Sequence, residues 1–382
     1  MKNKGSLIHL WFPDIFEFKG GIQVYSAFLL KALQLAYPQS QYEVFLKHDT
    51  HALPHFMSHT QYHFAGTVPL ALRTAVFTAQ IVGLGLWQRP NLVISTHVNF
   101  TPAAYGLKRL SGIPYWTVAH GTESWNIQRP ALQMGLHHAD RILAVSRYTR
   151  DRLLKEQNLD PAKISLLPCT FDTSCWSINP KPQYLLNRYG LTAKQHVILT
   201  VARLDSNDRY KGYDQILQAL PEIRRQIPNV HYLLVGKGSD RPRIEQLIAL
   251  LDLQECVTLA GFVPDEELCD HYNLCDVFAM PSKGEGFGIV YLEALACGKP
   301  VLGGNQDGAI DALREGELGA LVNPDDVNAI AQTLIQILQG TYPNPLLYQP
   351  DLLRTKVIDF FSIERFNKTL SDLIKTSKII KN

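Results

Sequence analysis

One pattern runs twice along this chain and limits what it can fold into. Short β-branched or apolar runs alternate with stretches of helical spacing, the pattern breaks, and it restarts. In the first run, residues 6–10, 42–46, 91–96, 115–119 and 141–145 read as strands. Residues 22–37 carry Val24, Ala27, Phe28, Leu30, Leu33 and Leu35 at helical spacing, and Ser146 is a good N-cap for a helix over 147–155. Asn179-Pro180-Lys181-Pro182 cannot continue a regular element and is the expected linker. Strands then recur at 197–201, 230–235, 257–260, 277–280 and 300–303, with helices starting at 213 and 243 and an amphipathic helix over 366–380. Lys368, Lys375, Lys378 and Lys381 lie on or near the polar side of that last helix. Strands alternating with helices build parallel sheets, so the expected architecture is two doubly wound α/β domains in tandem. Ligands in such folds bind at the carboxyl ends of strands, which directs attention to the loops that follow them.

Composition excludes several classes. A length of 382 residues accommodates two or three domains, and 46% hydrophobic residues is ordinary for a globular protein. The formal net charge of +2 argues against a dedicated nucleic-acid binder. It hides an asymmetry: residues 1–190 carry 18 Lys+Arg against 10 Asp+Glu, and residues 191–382 carry 19 against 25. No apolar run reaches the ~18–20 residues of a spanning helix. The nearest, residues 74–88, is short and bracketed by Arg73 and Arg89. The basic N-terminus is interrupted by Pro13, Asp14 and Glu17, unlike a signal peptide. Six scattered cysteines (Cys169, Cys175, Cys256, Cys269, Cys275 and Cys297) form no CxxC pair and read as buried, reduced residues of a cytosolic protein.

Four segments follow strands and carry chemistry. The first is Pro281-Ser-Lys-Gly-Glu-Gly-Phe-Gly-Ile-Val-Tyr-Leu-Glu293. Its glycines thin the backbone before a helix expected to end near Ala296, offering free N–H groups and a dipole to an anionic or hydroxyl-rich ligand. Glu285 belongs to that loop, and Glu293 is expected about two helical turns below it on the same side. The bland alternative is one glutamate stabilised by a helix dipole and another on a polar face. The second segment holds Arg203 and Lys211, two cations suited to a pyrophosphate, with Arg209 read as a solvated loop residue. The third is Lys19-Gly20-Gly21, a glycine pair opening the first long helix, which alone is often only a turn. The fourth is His120-Gly121-Thr122-Glu123, with Asn99 a further cleft residue whose surface-loop alternative is equally good. His48, His51, His55, His59 and His63 lie in a polar loop without compact metal-ligand spacing. No Walker loop and no GxGxxG occurs.

Taken together these segments resemble the retaining glycosyltransferases of family four, which have the GT-B fold of two Rossmann-like domains facing each other across a cleft. Glu285 and Glu293 match the Glu-x7-Glu signature, Arg203 and Lys211 the cations that hold the donor diphosphate, Gly20-Gly21 the N-domain glycine loop, and His120-Gly121 the His-Gly element. Residues 299–308 and 319–322 also fit. Leu167-Pro-Cys-Thr-Phe-Asp172 departs from the family, which has Asn-Gly before a hydrophobic residue and Asp. The Lys-Thr-Gly-Gly-Leu element of bacterial glycogen synthases is absent, which disfavours a glycogen-type acceptor.

The resemblance implies an acceptor domain over 1–182, completed by residues 363–382, and a nucleotide-sugar domain over 190–360. It implies retaining hexosyl transfer from a nucleotide sugar, with UDP-glucose the first expectation, to a saccharide or lipid-linked acceptor. Glu285, His120, Arg203 and Lys211 would act in catalysis, without metal or cofactor. Gly20, Gly21, Arg203, Lys211, Val263, Glu285, Gly286, Phe287, Gly288 and Glu293 would bind the donor, and Asn99 and Glu123 the acceptor. Two other readings are a UDP-sugar epimerase of the same architecture and a non-catalytic sugar-nucleotide-binding subunit. The basic first half, with Arg147, Arg150, Arg152, Lys155 and residues 74–88, is expected to meet an anionic membrane, leaving a cytoplasmic protein peripheral at the inner face.

Overall fold

A computed structural model describes residues 5–17, 20–52, 60–377 and 379. Lys19, His55, His59, Lys378 and Lys381 lie outside the described residues. The chain forms two compact units, residues 1–170 with 363–382, and residues 171–362.

The first unit contains β1 (Leu7–Phe12), α1 (Gly21–Ala36), β2 (Gln41–Leu46), β3 (Thr60–Phe64), α2 (Leu70–Gln88), β4 (Leu92–Ser95), α3 (Thr101–Ser111), β5 (Tyr115–Ala119), α4 (Pro130–His137), β6 (Arg141–Ala144), α5 (Arg147–Gln157) and β7 (Ile164–Leu166). Its sheet has the order β3-β2-β1-β4-β5-β6-β7, parallel throughout. The inner strands are buried along nearly their whole length, as parallel strands covered on both faces must be. Ser146 caps α5 by accepting the Thr149 N–H at 3.0 Å. One face of the sheet is packed by Trp11, Phe45, Phe77, Tyr115 and Ile142.

The second unit contains α6 (Gln183–Tyr189), β8 (His196–Val201), α7 (Tyr213–Gln226), β9 (Val230–Val235), α8 (Arg241–Leu250), β10 (Val257–Gly261), α9 (Asp265–Leu274), β11 (Val277–Met280), α10 (Ile289–Ala296), β12 (Val301–Gly304), α11 (Ala309–Ala312), β13 (Ala320–Val322), α12 (Val327–Leu338) and α13 (Pro350–Phe361). Its parallel sheet runs β10-β9-β8-β11-β12-β13. The last helix, α14 (Ile363–Ser377), belongs to the first unit. It buries Phe366, Leu370 and Ile374, and Phe366 meets Tyr25 of α1 edge-on at 5.5 Å. Lys368 and Lys375 are exposed.

Three sequence expectations change here. The Asn179–Pro182 segment falls inside the second unit rather than between the two. The Asn179 N–H donates to Asn273 at 2.8 Å and Lys181 pairs with Asp276 at 2.6 Å. Residues 74–88 are part of a longer helix, because Pro69 starts α2 before Arg73 and Arg89 ends it with φ of 50°. Only four of the six cysteines are buried: Cys175 is exposed, and Cys269 is half-exposed with its Sγ 3.9 Å from that of Cys297.

Both sheets reverse strand order beside their first strand, at β1/β4 and at β8/β11, where α/β folds open a crevice at the carboxyl ends. In the second unit that crevice depends on Gly212. It has φ of 84°, and a Cβ there would lie 2.3 Å from the Pro281 carbonyl oxygen. No L side chain satisfies both conditions. Gly212→Ala is expected to destabilise this unit by about 1–3 kcal/mol, read as a lower denaturant midpoint. An unchanged midpoint would show that the loops after β8 and β11 can separate at no cost.

Candidate functional site

In the second unit, Arg203 and Lys211 lie on the loop after β8, and residues 281–288 follow β11, its neighbour in the sheet. That pairing brings together side chains 74 positions apart. Lys211 Nζ donates to a Glu285 carboxylate oxygen, and both side chains are mostly shielded from water. Burial opposes the charge on Lys211, but Glu285, helped by Tyr210 and Asp208, outweighs it and raises the lysine pKa. Arg203 donates to the buried carboxylate of Asp208, and that bond raises its pKa further. Arg203, Asp208, Lys211 and Glu285 all lie within electrostatic reach of Tyr210, so they form one cluster. The loops are also tied through the backbone, with the Lys283 N–H donating to the Tyr210 carbonyl at 3.0 Å. Gly284 rests against the Tyr210 ring, where a Cβ would come within 2.5 Å.

The loop is held from its other side by Asp307. Its carboxylate accepts the N–H of Glu285 at 2.7 Å and of Ala309 at 2.9 Å, while the Gly308 N–H donates to the Glu285 carbonyl at 2.8 Å. Burial, with the nearby Glu285 charge, pushes the Asp307 carboxyl up to about 7 against the pull of those N–H donors. Among the described residues, nothing accepts the N–H groups of Gly286, Phe287 or Gly288, which lead into α10. The helix starts only at Ile289, so half of the spacing between the two glutamates is loop rather than two helical turns. Glu293 lies on α10, half-buried, and accepts the Tyr272 hydroxyl at 2.7 Å. Phe287 is buried against Phe361. Val263 is buried just beyond β10, beside exposed Phe262, whose ring lies under the Lys237 ammonium at 4.8 Å. Arg209 is not a free loop residue: it donates to buried Asp240 at 2.7 Å, which also binds Arg243 and Tyr213.

In the first unit, Gly20 and Gly21 open α1 with no side-chain cap, and a Cβ on Gly21 would meet open space. His120 follows β5 and is buried edge-on to Tyr25 at 4.9 Å. Its Nε2 lies 3.0 Å from the Thr96 carbonyl oxygen. A carbonyl only accepts, so this assigns the proton to Nε2 and the lone pair to Nδ1. Burial, with His97 nearby, lowers His120 to about 3, so the imidazole is neutral at physiological pH. Glu123 turns back on its own loop and accepts the His120 N–H at 2.7 Å. It clamps its own loop. Asn99 is exposed and lines a cavity of about 390 Å³ together with Lys47 and Arg129. Among the described residues, no group of three or more His, Cys, Asp and Glu is gathered as a metal site.

Comparison with known proteins now bears on this geometry. The "Glycosyl transferases group 1" family model matches residues 185–346, and the "Glycosyltransferase Family 4" model matches residues 20–174. The chain belongs to the group 1/family 4 glycosyltransferases. One relative is a GDP-mannose-dependent alpha-(1-6)-phosphatidylinositol monomannoside mannosyltransferase of Mycolicibacterium smegmatis. It is 35% identical over 231 residues, which is 57% of this chain and 59% of that protein. A D-inositol 3-phosphate glycosyltransferase of Kineococcus radiotolerans is 32% identical over 197 residues, 49% of this chain and 45% of that protein. The matches thus span roughly half to three fifths of these relatives.

Among solved structures, a sucrose-phosphate synthase from Thermosynechococcus elongatus superposes with a TM-score of 0.80 at 22% identity, covering 97% of this chain and 99% of its own. Anabaena HepE in complex with UDP gives 0.78 at 18% identity, covering 97% and 100%. These establish the fold: two Rossmann-like α/β domains of the GT-B kind.

The sequence reading did not single out Asp208, Tyr210, Asp240, Tyr272 or Asp307. Asp307 was legible only as part of the segment 299–308. Its position generates a pH test. Folded Asp307 keeps its proton to about pH 7, whereas the ordinary carboxyl value is 3.8. The native state therefore binds more protons between those values, and stability falls as pH rises through that window. Asp307→Asn removes the titration, so its melting temperature is expected to lose this part of the slope. A slope equal to that of the wild type would show that Asp307 ionises normally.

Proposed function

We propose that the chain is a retaining hexosyltransferase that uses a nucleoside-diphosphate hexose and needs no metal. The observation that carries this reading is the Arg203, Lys211 and Glu285 cluster on neighbouring strand ends, beside the unpartnered N–H groups leading into α10. Two cations and a row of donors suit a diphosphate that gains charge as it leaves. In the reaction proposed here, the bond from the anomeric carbon to the diphosphate oxygen breaks. The acceptor hydroxyl attacks from the same face, and its proton passes to the departing phosphate oxygen. Arg203 and Lys211 hold the developing charge, Glu285 and the N–H groups of Gly286 to Gly288 bind sugar hydroxyls, and Glu293 takes the ribose. On the first unit, the His120 Nδ1 lone pair is available to a sugar hydroxyl, and Gly20-Gly21 offer the uncapped start of α1 to the donor. The acceptor is a saccharide or a lipid-linked saccharide.

Two donors are supported by different observations. The mycobacterial relative is named for GDP-mannose, and Anabaena HepE was solved with UDP. The test measures release of the nucleoside diphosphate, GDP from GDP-mannose and UDP from UDP-glucose, without added metal. Release from one of the two is expected. Lys211→Ala and Arg203→Ala should each lower kcat/KM about 30-fold, which is ~2 kcal/mol of transition-state stabilisation. An epimerase would convert the donor without releasing diphosphate, so the same assay separates the two. No release from either donor, with no binding of UDP or GDP by calorimetry, overturns the proposal.

A further inference from the structure

The first unit holds a second chemically distinct place. The cavity of about 390 Å³ has an apolar wall made by Phe77, Ile81 and Leu132 and two cations, Lys47 and Arg129. Its walls are helices α2, α3 and α4 and the residue following β2, so it opens at the carboxyl edge of the sheet. Lys47 is half-buried and has no carboxylate partner among the described residues. Asp49, two positions on, is turned away and accepts the N–H groups of Ile15 and Glu17 at 2.7 and 2.9 Å. Burial and the nearby Arg73 both press against the Lys47 charge. A half-buried cation facing an apolar wall without a counter-ion is a site for an anion with an apolar portion.

The surrounding surface says where that anion comes from. Of the seven exposed large apolar residues among the described residues of this unit, six lie on the three helices that wall the cavity: Leu70, Leu72, Leu86, Trp87, Leu110 and Met134. Trp87 and Leu70 are 79% and 75% exposed. Helix α2 is 19 residues of mean hydropathy 1.4, and little of it is buried. It does not leave the unit, because Phe77 packs on Phe100 at 4.9 Å and Gly85 sits against Leu107. Such a helix lies on a bilayer rather than across it. Charge points the same way. From residue 50 to 139 the only acidic residue is Glu123, which is spent on its own loop, while Arg73, Arg89, Lys108, Arg109 and Arg129 lie in that stretch. The whole unit carries 21 Lys+Arg against 11 Asp+Glu.

The α5 cluster expected to make this contact is less suited to it. Arg150 pairs with Asp151 at 2.7 Å, and Arg152 pairs with Glu156 at 2.6 Å while stacking on Trp125.

We propose that the cavity walled by α2, α3 and α4 binds the phosphate-bearing head of a membrane lipid, with α2 lying on the bilayer surface. Lys47 and Arg129 hold the phosphate, and the apolar wall and α2 take the start of the hydrocarbon chain. His97 lies within electrostatic reach of both Lys47 and His120. The proposal rests on the hexosyltransferase reading only in making this lipid the acceptor.

The test is co-sedimentation of the full chain, without donor, with vesicles of phosphatidylcholine alone or mixed with phosphatidylglycerol. Binding is expected only to the mixed vesicles. Lys47→Gln and Arg129→Gln should each weaken it about fivefold, the effect of one cation near an anionic surface. Trp87→Ser should weaken it several-fold, whereas Lys155→Gln on α5 should leave it unchanged. Calorimetric binding of UDP or GDP, measured on the same samples, reports on the second unit, and an unchanged thermal melt followed by circular dichroism checks that the first unit of each variant is folded. Equal sedimentation with both vesicle types overturns the proposal, and so does binding that the cavity and α2 variants leave intact. Competition by glycerol 3-phosphate as strong as that by vesicles also overturns it, because the ligand would then be a free phosphate ester.

Discussion

The contact between Lys211 and Glu285 is what the second unit's site depends on. It joins the loop after β8 to the loop after β11 and shields both charges from bulk water. A pair in such a setting gains little net stability, because desolvation offsets attraction, but losing one partner leaves the other charge stranded. The loops are therefore fixed by mutual need. Gly212 allows the close approach to Pro281, Tyr210 supports Gly284, and Asp307 holds the Glu285 backbone from behind. A site of this kind is set before a ligand arrives, which is what electrostatic stabilisation of a leaving diphosphate requires.

Asp240 extends the same logic below the surface. It is nearly inaccessible to water, yet Arg209, Arg243 and Tyr213 all donate to it. It anchors the turn that carries Lys211 to the start of α8. The two cations thus stand on a base of paired charges rather than on a mobile loop.

How much of this was legible in the sequence depended on range. Strands such as Val230–Val235 and Val277–Met280 were readable because a doubly covered parallel strand is an apolar run. Strand β3 was missed because it is a half-exposed edge strand, Thr-Gln-Tyr-His-Phe, and β7 and β13 because three residues give no pattern. The residues of the site could be named from their place after strands, since that rule is local. Their partners could not. Asp307 reaches Glu285 across 22 positions and Tyr272 reaches Glu293 across 21, and nothing near either residue signals the meeting. Glu123 is the opposite case: its partner is so near that it closes on its own loop. The boundary between units was misplaced because prolines mark a break in regular structure, whereas packing decides to which unit a segment belongs.

The last helix gives the architecture an order in time. Residues 171–362 are interposed between two parts of the first unit. During synthesis the second unit can therefore close as soon as its own sequence has emerged, whereas the first stays unfinished although its sheet was made earlier. Tyr25 is the residue that waits. One edge of its surroundings is His120 and the other is Phe366 of α14. The wall behind His120 is completed only when α14 arrives, so the first unit becomes competent last, after the second has already assembled its cations.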